Sequence, residues 1–167
     1  LALHPSMTRT FLRELGGAIG SPRAIVMVSA HFETEQPTVV ADPNPGMIYD
    51  FGGFEPELYR QVYAAPGSPE VAAEVAGLLT AAGYEPKTLA KRGYDHGAWV
   101  PLQLMRPTAD VPVVQVSIQP HRDAAHHFAI GQALAPLKDA GVLIIASGSM
   151  THNLRAVFGL RGLTPRD

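Results

Sequence analysis

Apolar residues along this chain fall into helical stripes and unbroken runs, separated by Gly- and Pro-rich turns. Residues 8–16 predict a short amphipathic helix with Phe11, Leu12 and Leu15 on one side, ended by the Gly16-Gly17 pair. After the Gly20-Ser21-Pro22 turn comes Ile25-Val26-Met27-Val28-Ser29-Ala30-His31. Its apolar part does not alternate with polar residues, so the run predicts a strand buried on both faces, with His31 at its carboxyl end. Residues 38–41 predict a short strand before Asp42-Pro43-Asn44-Pro45-Gly46 breaks the chain. Ser68-Pro69-Glu70 opens a helix with a Ser N-cap and Pro in the first turn. Val71, Val75, Leu78, Leu79 and Ala82 are its expected core face, and Gly83 its stop.

Trp99, Leu102 and Met105 predict a helix that starts beyond the Asp95-His96-Gly97 turn, and residues 111–118 predict another strand. Residues 124–138 are helical by their Ile130, Leu134 and Leu137 stripe, with Pro136 expected to kink or restart the last turn. Residues 141–148 form a final apolar run directed toward His152. Strands alternate with helices and neither repeats nor linkers interrupt them. The fold class is therefore α/β: one domain, with a largely parallel or mixed central sheet flanked by helices. In such sheets ligands collect at the carboxyl ends of the strands. Residues 47–54, Met-Ile-Tyr-Asp-Phe-Gly-Gly-Phe, are apolar and aromatic but too glycine-rich for a rigid element. Two readings stay open for them: a loop capping the core, or a pocket wall for a flat ligand, with Tyr49 and Phe51 as its ring contacts.

Composition narrows the chemistry. A chain of 167 residues is long enough for a real core. Its 46% hydrophobic and 17% charged residues are those of a soluble globular protein. A formal net charge of −2 offers no electrostatic basis for binding nucleic acid or a membrane surface. Without Cys there is no thiolate site, disulfide or thiol nucleophile. No apolar stretch approaches the roughly 18 residues of a spanning helix, and no signal peptide precedes the first helix, so a cytoplasmic location is expected.

The histidines remain. His4, His121 and His126 are expected at the surface, and His127, nearer an apolar stripe, as a hydrogen-bonded core residue. His31, His96 and His152 each stand at the end of a core element, which suggests a shared site. Gly148-Ser149-Met150-Thr151-His152 lacks the second glycine of a nucleophile elbow. No phosphate-binding Gly-rich loop and no His-Glu-x-x-His helix occurs. What is left is a cluster of neutral imidazoles, which suits Fe(II) or Zn(II) and can move protons near neutrality.

Six motifs occur in one order: Val-Ser-Ala-His-Phe (28–32), Tyr-Asp-Phe-Gly-Gly-Phe (49–54), Pro-Gly-Ser-Pro (66–69), Tyr-Asp-His-Gly-Ala-Trp (94–99), Pro-Val-Val-Gln-Val-Ser-Ile (112–118) and Ala-Ser-Gly-Ser-Met-Thr-His-Asn-Leu (146–154). Together they closely resemble the class III extradiol ring-cleavage dioxygenases of the DOPA-dioxygenase type, within the LigB-like catalytic subunits. The resemblance implies a non-haem metal at the carboxyl ends of the strands, normally Fe(II) and in some members Zn(II). A catechol-type aromatic and O2 would be the reactants. By motif, His31 resembles a metal ligand. His152 resembles the histidine over the metal, an acid–base catalyst and in this branch also a metal contact. His96 resembles the histidine that hydrogen-bonds oxygen or substrate. Chelation needs both catechol protons removed, and a base near neutrality accepts one.

The same resemblance implies further metal histidines in a Gly-His-Gly-Ser-Pro turn upstream and a Thr-Pro-Glu-His stretch downstream. Neither motif is in this chain; Thr164-Pro165-Arg166-Asp167 is not the second. Residues 1–167 are therefore expected to be the central part of a longer catalytic domain. The strand ending in Gly-His-Gly is expected beside the one ending at His31, which would leave that flank of the 25–28 strand unpaired. Two rivals stay open: a zinc-dependent hydrolase on the same scaffold, and a non-catalytic relative without its metal ligands. A homo-oligomer is compatible with either.

Overall fold

The apolar run expected to form a doubly covered strand does so, in a computed structural model that describes residues 2–149. Strand β1 (Ala24–Glu33) is joined by β2 (Thr38–Val40), β3 (Lys87–Leu89), β4 (Val113–Ile118) and β5 (Val142–Ser147) in one sheet of order β3-β2-β4-β1-β5. β1 is parallel to β4, with Val26 opposite Val114, and parallel to β5, with Val26 opposite Ile144. β2 meets β4 antiparallel through Val39 and Val116, so the sheet is mixed. The expectation of an empty slot beside β1 is overturned, because β4 and β5 occupy both flanks. The outer strand on that side is β5, whose Ile144 is exposed.

Alternate residues of β1 feed two cores, as the two-residue side-chain period requires. Ala24 and Val26 pack with Val114, Val116 and Val142 under helices α2 (Pro69–Ala81), α4 (Ala124–Leu134) and α5 (Pro136–Asp139). Ile25 and Met27 pack with Tyr63, Tyr94 and Val113 under Ala98, Trp99 and Leu102 of α3 (His96–Met105). Both faces are thus covered by apolar side chains, which is why the run needs no polar alternation.

Local chemistry sets most of the element ends. Ser68 Oγ accepts the Val71 N–H, Pro69 occupies the first turn, and Gly83 follows the helix at φ 86°. Ala82 is exposed rather than core-facing, and Ala72 is buried in its helix instead. Pro136 does restart the helix, separating α4 from α5. α3 begins at His96 itself, not beyond the turn, because the Asp95 side chain caps it by accepting the Ala98 N–H. β4 starts at Val113, two residues later than expected, although the Pro112 carbonyl still accepts the Ile25 N–H. β3, three exposed residues paired with β2, has no sequence counterpart above.

Helix α1 (Met7–Ala18) runs through Gly16-Gly17 instead of stopping there. Gly16 is buried against α3: a Cβ there would lie 2.1 Å from the Met105 carbonyl oxygen. The pair marks a helix crossing, and Gly20 at φ 76° ends the helix. Phe11, expected on the inner side, is exposed. Among the described residues no helix is long and apolar enough to cross a membrane.

Candidate active site

The parallel ladder between β1 and β4 shifts register between Val28 and Glu33. Such irregularities re-aim side chains, and His31 lies within this one. α3, packed against β1, begins nearby with His96. The two imidazoles come together with ring centroids 4.0 Å apart and planes inclined by 47°. Asp50, from the aromatic loop, joins them. Its Oδ1 accepts from the His96 backbone N–H at 3.0 Å and lies 2.8 Å from His96 Nδ1. Its Oδ2 stands 3.6 Å from His31 Nδ1. Partial burial pushes the Asp50 carboxyl up, but its hydrogen bonds with the His96 backbone and ring outweigh that and hold it below the ordinary carboxylate pKa.

A buried polar network holds β1 and α3 in register. Ser29 Oγ donates to Asp95 Oδ1 at 2.5 Å and accepts the His31 N–H at 3.2 Å. Asp95 Oδ2 accepts from Arg92 Nη2 at 3.0 Å. Arg92 also donates to the Gly93 carbonyl and to Gln115 Oε1, and its guanidinium lies 4.1 Å over the Phe32 ring. The charge-assisted hydrogen bonds keep the buried Asp95 and the part-buried Arg92 paired. Gly97 leaves the space for His31: a Cβ there would stand 2.3 Å from Ser29 Oγ and 3.0 Å from His31 Cδ2.

His31 and His96 open onto a cavity of about 1010 Å3. Its apolar wall comes from Leu12 and Leu15 of α1, Val100 and Met105 of α3, Leu143 and Ile145 of β5, and Phe54 and Leu58. The aromatic loop lines this cavity through Gly53, Phe54 and Glu55. Tyr49 and Phe51 do not line it. Tyr49 donates its hydroxyl to the Gln61 carbonyl at 2.6 Å and packs near Trp99. Phe51 sits edge-on to His96, with ring centroids 5.7 Å apart at 89°.

Two of the three histidines expected at one site are therefore together, and His152 lies outside the described residues. Asp50, Ser29, Arg92 and Asp95 were not singled out as site residues, though all but Arg92 stand inside the quoted motifs. His4 is exposed and pairs with Glu55 at 2.9 Å. His121 is exposed as expected. His126 is not simply solvated: it is half-buried, its Nε2 3.1 Å from Gln119 Oε1, and burial pulls its pKa down. His127 is half-buried and hydrogen-bonded, accepting the Gln119 N–H at Nε2 and donating from Nδ1 to the Asp123 carbonyl.

His31, Asp50 and His96 each offer a ligand atom within 4.8 Å of the others. Imidazole and carboxylate groups suit a divalent transition metal, either binding it directly or holding its ligands from behind. The residues present fit a metal.

The chain is similar to several known proteins. The chain is 59% identical over 133 residues to a "4,5-DOPA dioxygenase extradiol" of Beta vulgaris, covering 78% of this chain and 49% of that protein. It is 46% identical over 147 residues to the Escherichia coli K12 protein of the same name, covering 87% and 53%. The chain thus spans about half the length of the curated relatives it matches. A crystal structure of an uncharacterised E. coli K12 protein superposes with a TM-score of 0.76 at 38% identity, covering 92% of this chain and 57% of that one. The family model described as the catalytic LigB subunit of aromatic ring-opening dioxygenase matches residues 6–157, and the chain belongs to that family.

Proposed function

We propose that this site opens the ring of a catechol-type aromatic beside its diol, incorporating both atoms of O2 at a non-haem metal. The observation that carries the reading is the His31–His96 pair at the mouth of a large apolar cavity, in a chain with this family membership. The metal, Fe(II) in our reading with Zn(II) as second choice, would polarise the catechol oxygens and, as iron, supply electrons to O2. His31 would hold it, with His152 as a further ligand and the principal acid–base group. His96 would donate to or accept from substrate or oxygen at Nε2. Phe54, Leu58 and Val100 would bury the ring and keep water from the reacting carbons. Phe51 would support the site through the His96 ring rather than by direct contact. The relatives' names make DOPA the first substrate to try.

The test is oxygen consumption by the Fe(II)-loaded protein with DOPA and simpler catechols, alongside product spectra. Stoichiometric O2 uptake with loss of the catechol supports the proposal. Turnover of an ester or amide analogue without O2 uptake would make the protein a hydrolase. Binding of Fe(II) with every catechol unchanged would make it a non-catalytic relative.

A further inference from the structure

The contacts of Asp50 are unusual in being shared between both histidines. Oδ1 takes the His96 backbone N–H at 3.0 Å and faces His96 Nδ1 at 2.8 Å, while Oδ2 faces His31 Nδ1 at 3.6 Å. A carboxylate has only lone pairs to offer, so a hydrogen bond at 2.8 Å requires the proton on His96 Nδ1. A neutral His96 then keeps its lone pair on Nε2. The His31 contact is longer than a hydrogen bond, yet the negative oxygen favours a proton on that Nδ1 as well. The backbone bond to His96 fixes the carboxylate itself, so both preferences are built into the fold.

We infer that Asp50 is a positioning residue: its carboxylate orients His96 and sets it in the tautomer whose free lone pair is on Nε2, while its second oxygen biases His31 toward the same tautomer through its charge alone. This goes beyond the proposed function and rests on it only for the use made of those lone pairs. Metal-binding histidines commonly give their other ring N–H to a carboxylate, which fixes the ring and raises its basicity. Here one carboxylate would serve a metal-binding histidine and a substrate-facing one. A metal bound directly by Asp50 would take Oδ2 and could leave the Oδ1 bonds with His96 in place, so Zn(II) titration, not the His96 bond, separates that role from positioning.

The first measurement needs neither metal nor catalysis: imidazole nitrogen NMR of the metal-free protein, as wild type and as Asp50→Ala and Asp50→Asn. Wild type should show a pyrrole-type Nδ1 and a pyridine-type Nε2 for His96, and Asp50→Ala should lose that preference. Asp50→Asn, whose amide oxygen can still accept, should retain more of it than Asp50→Ala. An unchanged His96 tautomer in a folded Asp50→Ala would overturn the inference. So would a wild-type His96 protonated on Nε2 alone. The second measurement is Zn(II) titration of the same proteins. An outer partner typically costs about 10–100-fold in metal affinity; a much larger loss in Asp50→Asn would make Asp50 a ligand and overturn its positioning role. Absence of dioxygenase activity alongside the expected NMR pattern would count against the proposed function and leave the tautomer control standing.

Discussion

Ser29 on β1 and Asp95 at the start of α3 share a hydrogen bond of 2.5 Å, and each also acts on a site histidine. Ser29 Oγ accepts the backbone N–H of His31, and Asp95 caps the helix that opens with His96. The separation of the two imidazoles is therefore set beneath them. Asp95→Ala removes the cap and leaves the guanidinium of Arg92 without its carboxylate. Breaking a fully buried ion pair costs about 3–5 kcal/mol, and because Arg92 is only part-buried the loss should lie at or below the lower end of that range. Asp95→Asn keeps an acceptor for the cap and should lose less. Urea unfolding of the two variants checks the order, and an Asp95→Ala protein as stable as wild type would refute the network's role.

Gly16 and Gly17 should respond in opposite directions to alanine. In an exposed helix interior, Gly→Ala gains about 0.5–1 kcal/mol. Gly17 has nothing within 4 Å of an added Cβ, so Gly17→Ala should stabilise the protein by about that amount. At Gly16 the Met105 carbonyl stands 2.1 Å from the same atom, and backbone must move. Gly16→Ala should destabilise despite its better helix propensity. Thermal unfolding of the pair separates close helix packing from propensity.

How much could be read in advance follows the range of the forces involved. β1 and β4 were legible because apolar runs report burial directly; β5 was legible as a strand although only Val142 of it is buried. The start of α2 and the break at Pro136 were legible because caps and proline act within one turn. β3 was invisible: Lys87, Thr88 and Leu89 are exposed and carry no period. Gly16-Gly17 misled because a local stop rule cannot see α3. The two histidines stood out by motif and position. Asp50 did not, since an acid in a glycine-rich loop looks solvated until folding brings His96 against it.

Acid should weaken the fold through Asp42, Asp50 and Glu74. Burial alone would raise the Asp42 carboxyl, but hydrogen bonds from Lys91 and the Asn44 backbone bring it below its ordinary value. Glu74 is lowered chiefly by its hydrogen bond with Arg23. All three pKa values, Asp50's included, are depressed on folding. Their contribution is thus complete above the unfolded carboxylate range and is lost as pH falls through the folded values. Glu74 is exposed enough for salt to screen its share. Unfolding midpoints measured from pH 7 downward should fall in that acid window; a midpoint flat to pH 2 would contradict the assignments.

Phe51→Ala tests the aromatic loop. The ring packs edge-on to His96 and near Trp99, and the side chain is only partly buried. Removing it should loosen His96 and so lower kcat of the active enzyme, with little change in KM because the ring does not line the cavity. Aromatic pair contacts contribute about 0.5–1.5 kcal/mol beyond burial, so the stability loss should be modest. A rise in KM with kcat unchanged would instead make Phe51 a direct substrate contact.

The parallel pairing of β1 has a consequence for biosynthesis. Both neighbours of Val26, Val114 and Ile144, are made long after it. At ordinary elongation rates of about 5–20 residues per second, β1 waits for several seconds or more before β4 can reach it. During that time the nascent chain carries a doubly apolar segment with no sheet to join, an attractive target for a holding chaperone. Ribosome-stalled chains in which only residues up to 110 have emerged should be cleaved readily within β1 by a non-specific protease. Chains with β5 fully emerged should resist. Equal protection of the two would mean that the apolar run finds earlier cover.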